Sequence, residues 1–403
     1  MSEQYAELPA EVIVDPEAKE VVITPEVEAA LPGVSGIFAD ADRAFDENPR
    51  QYLQEMEDSL FSFPKDLDGG PFSFLSSRRA NIECSLIPGN GNEAFVMWAP
   101  FSDGPPQSSA EQMFNYTQAG EVGVADKVFA KPNSWNQLTK SAVMAEVLRA
   151  AGVEMPVLTI FSPLPSVPYN AYSHEEYKQI RQGDFRPSAR IVEEALAVAQ
   201  DKLHGPRSET QIDTVHMHGA SLGASSAIGA AAGIVWNGGK DIKSVTAQEL
   251  IIAPKNVVPD LAKRFTIGDP VGEASTLRVS DHYPRLAEPL LRRLIDKAGN
   301  EPAMFAHMLR GMSKLSRLKG LTGGDDNRTV ENIEFLDGNG VPVMIPLAET
   351  SGLTHDTPDH LPHGGEKIVS LRATEGRRTS HLVDEHVGVT TLLAVAHVAQ
   401  AGR

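Results

Sequence analysis

The 403-residue chain has a single cysteine, Cys84. No intrachain disulfide framework can exist, and a reducing compartment is allowed. We expect Cys84 to be a small buried side chain rather than a reactive thiol. Positive charge is also scarce: 36 Lys and Arg stand against 54 Asp and Glu, for a net charge of -18. Phosphate binding needs clustered Lys and Arg, so this balance argues against a nucleic-acid partner. No apolar run is long enough to span a bilayer, and the opening residues show no basic stretch followed by an apolar one. The expectation is a cytoplasmic protein. Neither a G-x-G-x-x-G nor a Walker-type loop is present, so no nucleotide cofactor is implied. His355, Asp356, Asp359, His360 and His363 lie close in sequence, but in a Pro-bearing stretch without a helical ligand spacing or an evident third ligand. We therefore expect neither a metal nor any other cofactor.

Hydrophobic residues make up 41% of the chain and charged residues 22%, the balance of a globular protein with a well-filled core. The length suits one large domain or two moderate ones. Residues 1–35 are rich in Glu and Pro and read as an acidic tail or docking arm. Within them, Val12-Ile13-Val14 and Val21-Val22-Ile23 suit edge strands or docking segments, and the arm offers a route to a homo-oligomer. Asp40 to Leu60 has the spacing of a surface helix.

From Phe72 the pattern becomes alternating. Strands are expected at Ile82–Ile87, Glu93–Ala99, Pro156–Phe161, Thr214–Met217 and Val245–Ala253, with helices at Ser134–Ala151 and Ser188–Leu203. Ser162–Asp184 reads as a loop-rich excursion bearing Tyr169, Tyr172 and Tyr177. Ile333–Leu336 and Val341–Leu347 read as a hairpin around Asp337-Gly338-Asn339-Gly340. Ile368–Ala373 is expected to be the last strand and Gly388–Ala399 the closing helix. Strand alternating with helix predicts an α/β fold, a mostly parallel sheet with helices on both faces.

The most informative stretch is Thr214-Val215-His216-Met217-His218-Gly219-Ala220-Ser221-Leu222-Gly223-Ala224. An alternating strand runs into G-x-S-x-G, and a helix of small apolar residues follows. A serine in a sharp strand-to-helix turn needs neighbours without bulk, because the two backbones approach closely; Gly219, Ala220, Gly223 and Ala224 supply that. His216 and His218 read as core histidines of the strand.

On these residues the chain resembles the α/β-hydrolase superfamily of serine hydrolases, without matching a particular family, and the resemblance spans most of the chain after the N-terminal segment. It implies a hydrolase core at residues 36–254 and 323–403, with residues 255–322 as a helical cap. The implied nucleophile is Ser221, with the backbone N–H of Leu222 as one oxyanion donor. The second donor belongs to the loop after Glu93–Ala99. There Ala99-Pro100 replaces the superfamily's usual His-Gly, which moves the donor to Phe101 or Ser102. The chain order Ser, acid, His implies a base after the last strand: His381 is favoured, His386 is the alternative, and His397 is read as structural. The acid is implied near the end of Val341–Leu347. Ala348-Glu349-Thr350-Ser351 lacks the usual aspartate, leaving Asp356, favoured narrowly, then Glu349, with Asp359 behind them.

The implied activity is cleavage of a carboxylic ester or related acyl compound on a small molecule through an acyl-enzyme on Ser221. Thioesterase, amidase, peptidase and acyltransferase chemistry stay open. The rival expectation is a binding or scaffold protein with an incomplete triad, supported by the displaced acid and the missing His-Gly.

Overall fold

In the computed structural model the described residues are 11–14, 70–98, 151–161, 171–206, 211–220, 222–250, 328–348, 357–361, 367–373 and 387–401, with Glu47, Ile252 and the helical residues Ser141, Met144, Ala145, Val147, Leu148 and Arg149. Along β4 (Glu93–Trp98), Ala94, Val96 and Trp98 face one apolar cluster while Phe95 and Met97 face another. A strand buried on both faces has to sit inside a sheet covered from both sides. Among the described residues the sheet holds nine strands: β1 (Glu11–Val14), β2 (Gly70–Leu75), β3 (Asn81–Ile87), β4, β5 (Val157–Ile160), β6 (Thr214–Ala220), β7 (Asp241–Gln248), β8 (Val343–Ala348) and β9 (Ile368–Ala373). Their order is β1-β9-β8-β7-β6-β4-β5-β3-β2. Only β3 runs against its neighbours, pairing antiparallel with β2 and with β5; the other pairs are parallel. This is the α/β arrangement expected from the alternation. β1 comes from the acidic opening segment and lies along β9, with Glu11 opposite Ser370 and Val14 opposite Ala373.

Helices cover both faces. The larger cluster joins the sheet to α2 (Ser188–His204), α3 (Leu222–Trp236) and α4 (Arg328–Gly338) through Ile191, Leu196, Ile228, Ala231, Ile333 and Leu336. The second joins it to α6 (Val387–Ala401) and to Met144, Val147 and Leu148 through Ala394, Val395 and Val398. Cys84 is fully buried, and its thiol pKa is raised by burial first and by nearby Glu83 second.

Helix α3 is buried along nearly its whole length, which only small residues permit. A methyl group at Gly229 would lie 2.4 Å from Phe185 Cβ and 2.5 Å from the Phe185 carbonyl carbon. The obstacle includes backbone just ahead of α2, so it cannot swing aside as a side-chain tip does. We predict that Gly229→Ala lowers stability by about 1–3 kcal/mol, the overpacking cost outweighing Ala's better helix propensity. A thermal melt indistinguishable from wild type would refute this.

Three expectations are corrected. Arg328–Gly338 is a helix, α4, and not the first arm of a hairpin. Its buried residues Thr329, Asn332, Ile333 and Leu336 recur at helical spacing, and the parallel β7–β8 pair needs a crossover rather than a tight turn. The strand expected at Val245–Ala253 lies earlier, at Asp241–Gln248, because Glu249 adopts φ 52°, a left-handed conformation that ends an extended run. Finally, the excursion after β5 contains α1 (His174–Arg181). It starts with a capping box: the Glu176 amide donates to Ser173 Oγ while the Ser173 amide donates to the Glu176 carboxylate.

The expected cap, residues 255–322, lies outside the described residues, as does the Asp40–Leu60 segment apart from Glu47, which is helical and exposed. No helix among the described residues is long and apolar enough to cross a membrane.

Candidate active site

The carboxyl ends of β4, β6, β7 and β8 come together at one edge of the sheet, the edge where open α/β sheets bind ligands. At its centre β6 ends at Ala220 and α3 begins at Leu222, leaving a single residue, Ser221, between strand and helix. Backbone contact makes this turn sharp. A Cβ on Gly219 would lie 2.1 Å from the Gly223 carbonyl oxygen and 2.8 Å from the Ala224 amide nitrogen. No residue but glycine fits there without moving β6 or α3, so the small residues of G-x-S-x-G answer a steric requirement that the fold imposes. Leu222 opens α3, and its N–H is among the first four that no helical carbonyl receives.

Ser221, Phe101, Ser102, Glu349, Asp356, His381 and His386 lie outside the described residues. Several of their described neighbours are strand ends. Trp98, buried, ends the strand before Phe101; Ala348 ends β8 immediately before Glu349; Ala373 ends β9 ahead of the His381 stretch. Thr357, the residue after Asp356, is buried and donates its hydroxyl to the Leu250 carbonyl at 2.8 Å. That bond ties the start of the one-turn helix α5 (Thr357–His360) to the end of β7. Asp359 and His360, also on α5, are exposed. Among the described residues no three His, Cys, Asp or Glu side chains are grouped as metal ligands.

The histidines of the elbow strand belong to a buried polar layer under α6. His216 is 0% exposed and shares a 2.8 Å hydrogen bond through Nδ1 with Ser244 Oγ of β7. His397 of α6 shares one of 3.0 Å through Nδ1 with Thr246 Oγ1. His218, also buried, has its ring centroid 6.0 Å from that of Phe95. Burial pushes the His216 imidazole down to about 4, with Lys243 adding to the effect and Asp241 opposing it. His397 is also pushed down to about 4, by burial first and then by His216 and Lys367. Both are neutral core histidines at pH 7, unsuited to gaining a proton during turnover.

This layer carries a pH prediction. The unfolded chain protonates its imidazoles near 6.5, whereas the folded chain keeps these two neutral until about 4. Their contribution to stability is whole above pH 6.5 and is lost as the pH falls toward 4, up to about 3 kcal/mol for each. Urea unfolding at pH 7, 5.5 and 4.5 should show the decline, and a His216→Gln/His397→Gln double variant should flatten it. An unchanged slope in that variant would refute the assignment.

Sequence reasoning missed two polar residues at the end of β7. Gln248 lies opposite Ala220 in the strand register, is 3% exposed, and its Nε2 has no hydrogen-bond partner among the described residues. Glu249 follows it and is 1% exposed. The available signal was a Gln-Glu pair immediately before the apolar run Leu250-Ile251-Ile252, where it passed for part of a strand. A cleft of about 700 Å³, bordered by Lys240, Asp241, Lys243, Asn339 and Gly340, lies at the amino ends of β7 and β8. It is at the opposite edge from the elbow and takes no part in this site.

No protein-family model matches the chain, and no curated protein matches it in sequence. Among solved structures it is similar to a Pyrobaculum calidifontis esterase, at 13% identity and a TM-score of 0.39 over 94% of this chain and 97% of the other. It is similar to a thermostable esterase from Pseudomonas putida, at 10% and 0.36 over 94% and 97%. A third is naproxen esterase from Bacillus subtilis, at 10% and 0.37 over 83% and 92%. At these identities the activity has to be argued from the chain's own residues. The mostly parallel sheet covered on both faces, with a close-packed strand–turn–helix at its centre, is an α/β-hydrolase type of fold.

Proposed function

We propose that the protein is a serine hydrolase that cleaves a carboxylic ester or related small acyl compound through an acyl-enzyme on Ser221. The observation that carries this reading is the contact of Gly219 with Gly223 and Ala224, which leaves one residue to turn the chain from β6 into α3. A side chain at that apex projects from the sheet edge instead of packing within either element.

Ser221 Oγ attacks the acyl carbonyl as His381 takes its proton. The negative charge that develops on the carbonyl oxygen is held by the N–H groups of Leu222 and Phe101. Collapse of the tetrahedral species expels the alcohol, which receives the proton from His381. Water, deprotonated by the same imidazole, then attacks the acyl-enzyme, frees the acid and restores Ser221. Each oxyanion donor is worth about 3 kcal/mol in the transition state. A carboxylate has to orient His381; the sequence offers Asp356 and Glu349 in the stretch after β8. No step requires a cofactor.

A fluorophosphonate probe tests this directly, because it phosphonylates only an activated serine. Labelling of the wild type that disappears in Ser221→Ala supports the reading. Folded wild-type protein that neither labels nor turns over any of a panel of p-nitrophenyl esters and thioesters would leave it without support and favour a binding role.

A further inference from the structure

We infer that Glu249 is the carboxylate that orients the catalytic imidazole, in place of Asp356 or Glu349. This rests on the serine-hydrolase reading above and deepens it.

Register comes first. Ala220, the residue before Ser221, pairs with Gln248, the residue before Glu249, on adjacent strands. Neighbouring strands run about 4.8 Å apart. A carboxylate one strand from the nucleophile is within reach of an imidazole that bridges the two.

Burial comes second. Among the described residues with assigned burial, two acidic side chains are buried, Asp184 and Glu249. Asp184 is accounted for by Arg186, which donates from Nε and Nη2 to its two oxygens at 2.9 and 2.7 Å. It lies ahead of α2, away from the elbow edge. Glu249 is 1% exposed, and a carboxylate at that depth survives only with a donor facing it. The imidazole N–H that the triad must orient is such a donor. Asp359, by contrast, stands in solvent on α5, where an ionised carboxylate needs no donor.

The backbone supplies the third argument. Glu249 and Arg79 are the described non-glycine residues with positive φ, 52° and 61°. Arg79 is exposed in the turn between β2 and β3, where such angles are ordinary. Glu249 is buried and held by a hydrogen bond from its amide to the Pro346 carbonyl of β8 at 2.8 Å. The next residue is clamped in turn by the Thr357 hydroxyl on the Leu250 carbonyl. A left-handed conformation pinned on both sides ends the extended run of β7 at Glu249, and strain of this kind collects at functional sites.

The test compares Glu249→Gln with Asp356→Asn and Glu349→Gln, using p-nitrophenyl butyrate, the full chain and a urea-unfolding check on each variant. Glu249→Gln should lower kcat by about 10³–10⁴-fold with KM changed less than about threefold. It should also move the acidic limb of kcat/KM to lower pH, because a carboxylate beside an imidazole raises its pKa and the amide does not. Glu249→Asp keeps the charge and should retain more activity than the amide, and it decides the matter if Glu249→Gln fails to fold. A Glu249→Gln enzyme within fivefold of wild type overturns the assignment. So does a loss of stability with an unmoved pH profile, or a 10³-fold loss confined to Asp356→Asn or Glu349→Gln. If Ser221→Ala is inactive while Glu249→Gln is active, only this inference falls. If Ser221→Ala turns over ester like wild type, the hydrolase reading falls with it.

Discussion

Ser221→Ala will reduce kcat for an activated ester by about 10⁶-fold, with stability unchanged within about 0.5 kcal/mol. Removing the hydroxyl leaves no atom to form the acyl-enzyme. The imidazole and oxyanion donors then act only on water, and residual catalysis of about 10³–10⁴ over the uncatalysed rate should persist. The substitution is small and falls between the last residue of β6 and the first of α3. Spectrophotometric turnover in excess over any contaminating esterase, alongside the probe-labelling gel, measures it. A variant retaining even a hundredth of wild-type kcat would place the nucleophile elsewhere.

The second large effect is expected at Gly219. Valine there drives a branched Cβ into the space now filled by the Gly223 carbonyl, 2.1 Å from where that carbon must sit. The obstacle is helix backbone, so relief requires α3 to shift or β6 to bend. β6 is held between β4 and β7 by registered pairing, from Thr214 to Gly219 on one side and, past a register shift between Val215 and His216, to Ala220 on the other. α3 is wedged against the segment before α2 at Gly229. We therefore expect Gly219→Val to cost about 3 kcal/mol or more, beyond ordinary overpacking, and to abolish probe labelling of Ser221 even where the chain still folds. Gly338→Ala is the control, since a methyl group there meets nothing within 4 Å. Wild-type melting and labelling in Gly219→Val would show that the elbow is looser than its backbone contacts require.

Much of the fold was legible because the relevant patterns are local. Val157–Ile160 is a strand buried at every residue, α2 shows helical spacing from Ile191 to Leu203, and Gly205, at φ 80°, ends it. The elbow was legible for the same reason: its small residues are adjacent in the chain. Ile333, Phe335 and Leu336 misled because three apolar residues within one helical turn also alternate well enough for a short strand. What separates the two readings is β8 pairing in parallel with β7, a contact that no local window contains.

The site divides along the same line. By itself the sequence determined the tight G-x-S-x-G turn, the expected order of base and acid, and an acidic, cysteine-poor globular chain. Those follow from residue type and spacing within a few positions. Only the tertiary structure decided that β3 reverses, that Glu11–Val14 lies along β9, and that His216 and His397 are held neutral under α6. Only it separated a buried Glu249 from an exposed Asp359. A carboxylate's role is set by what covers it, and that cover comes from strands and helices distant in sequence.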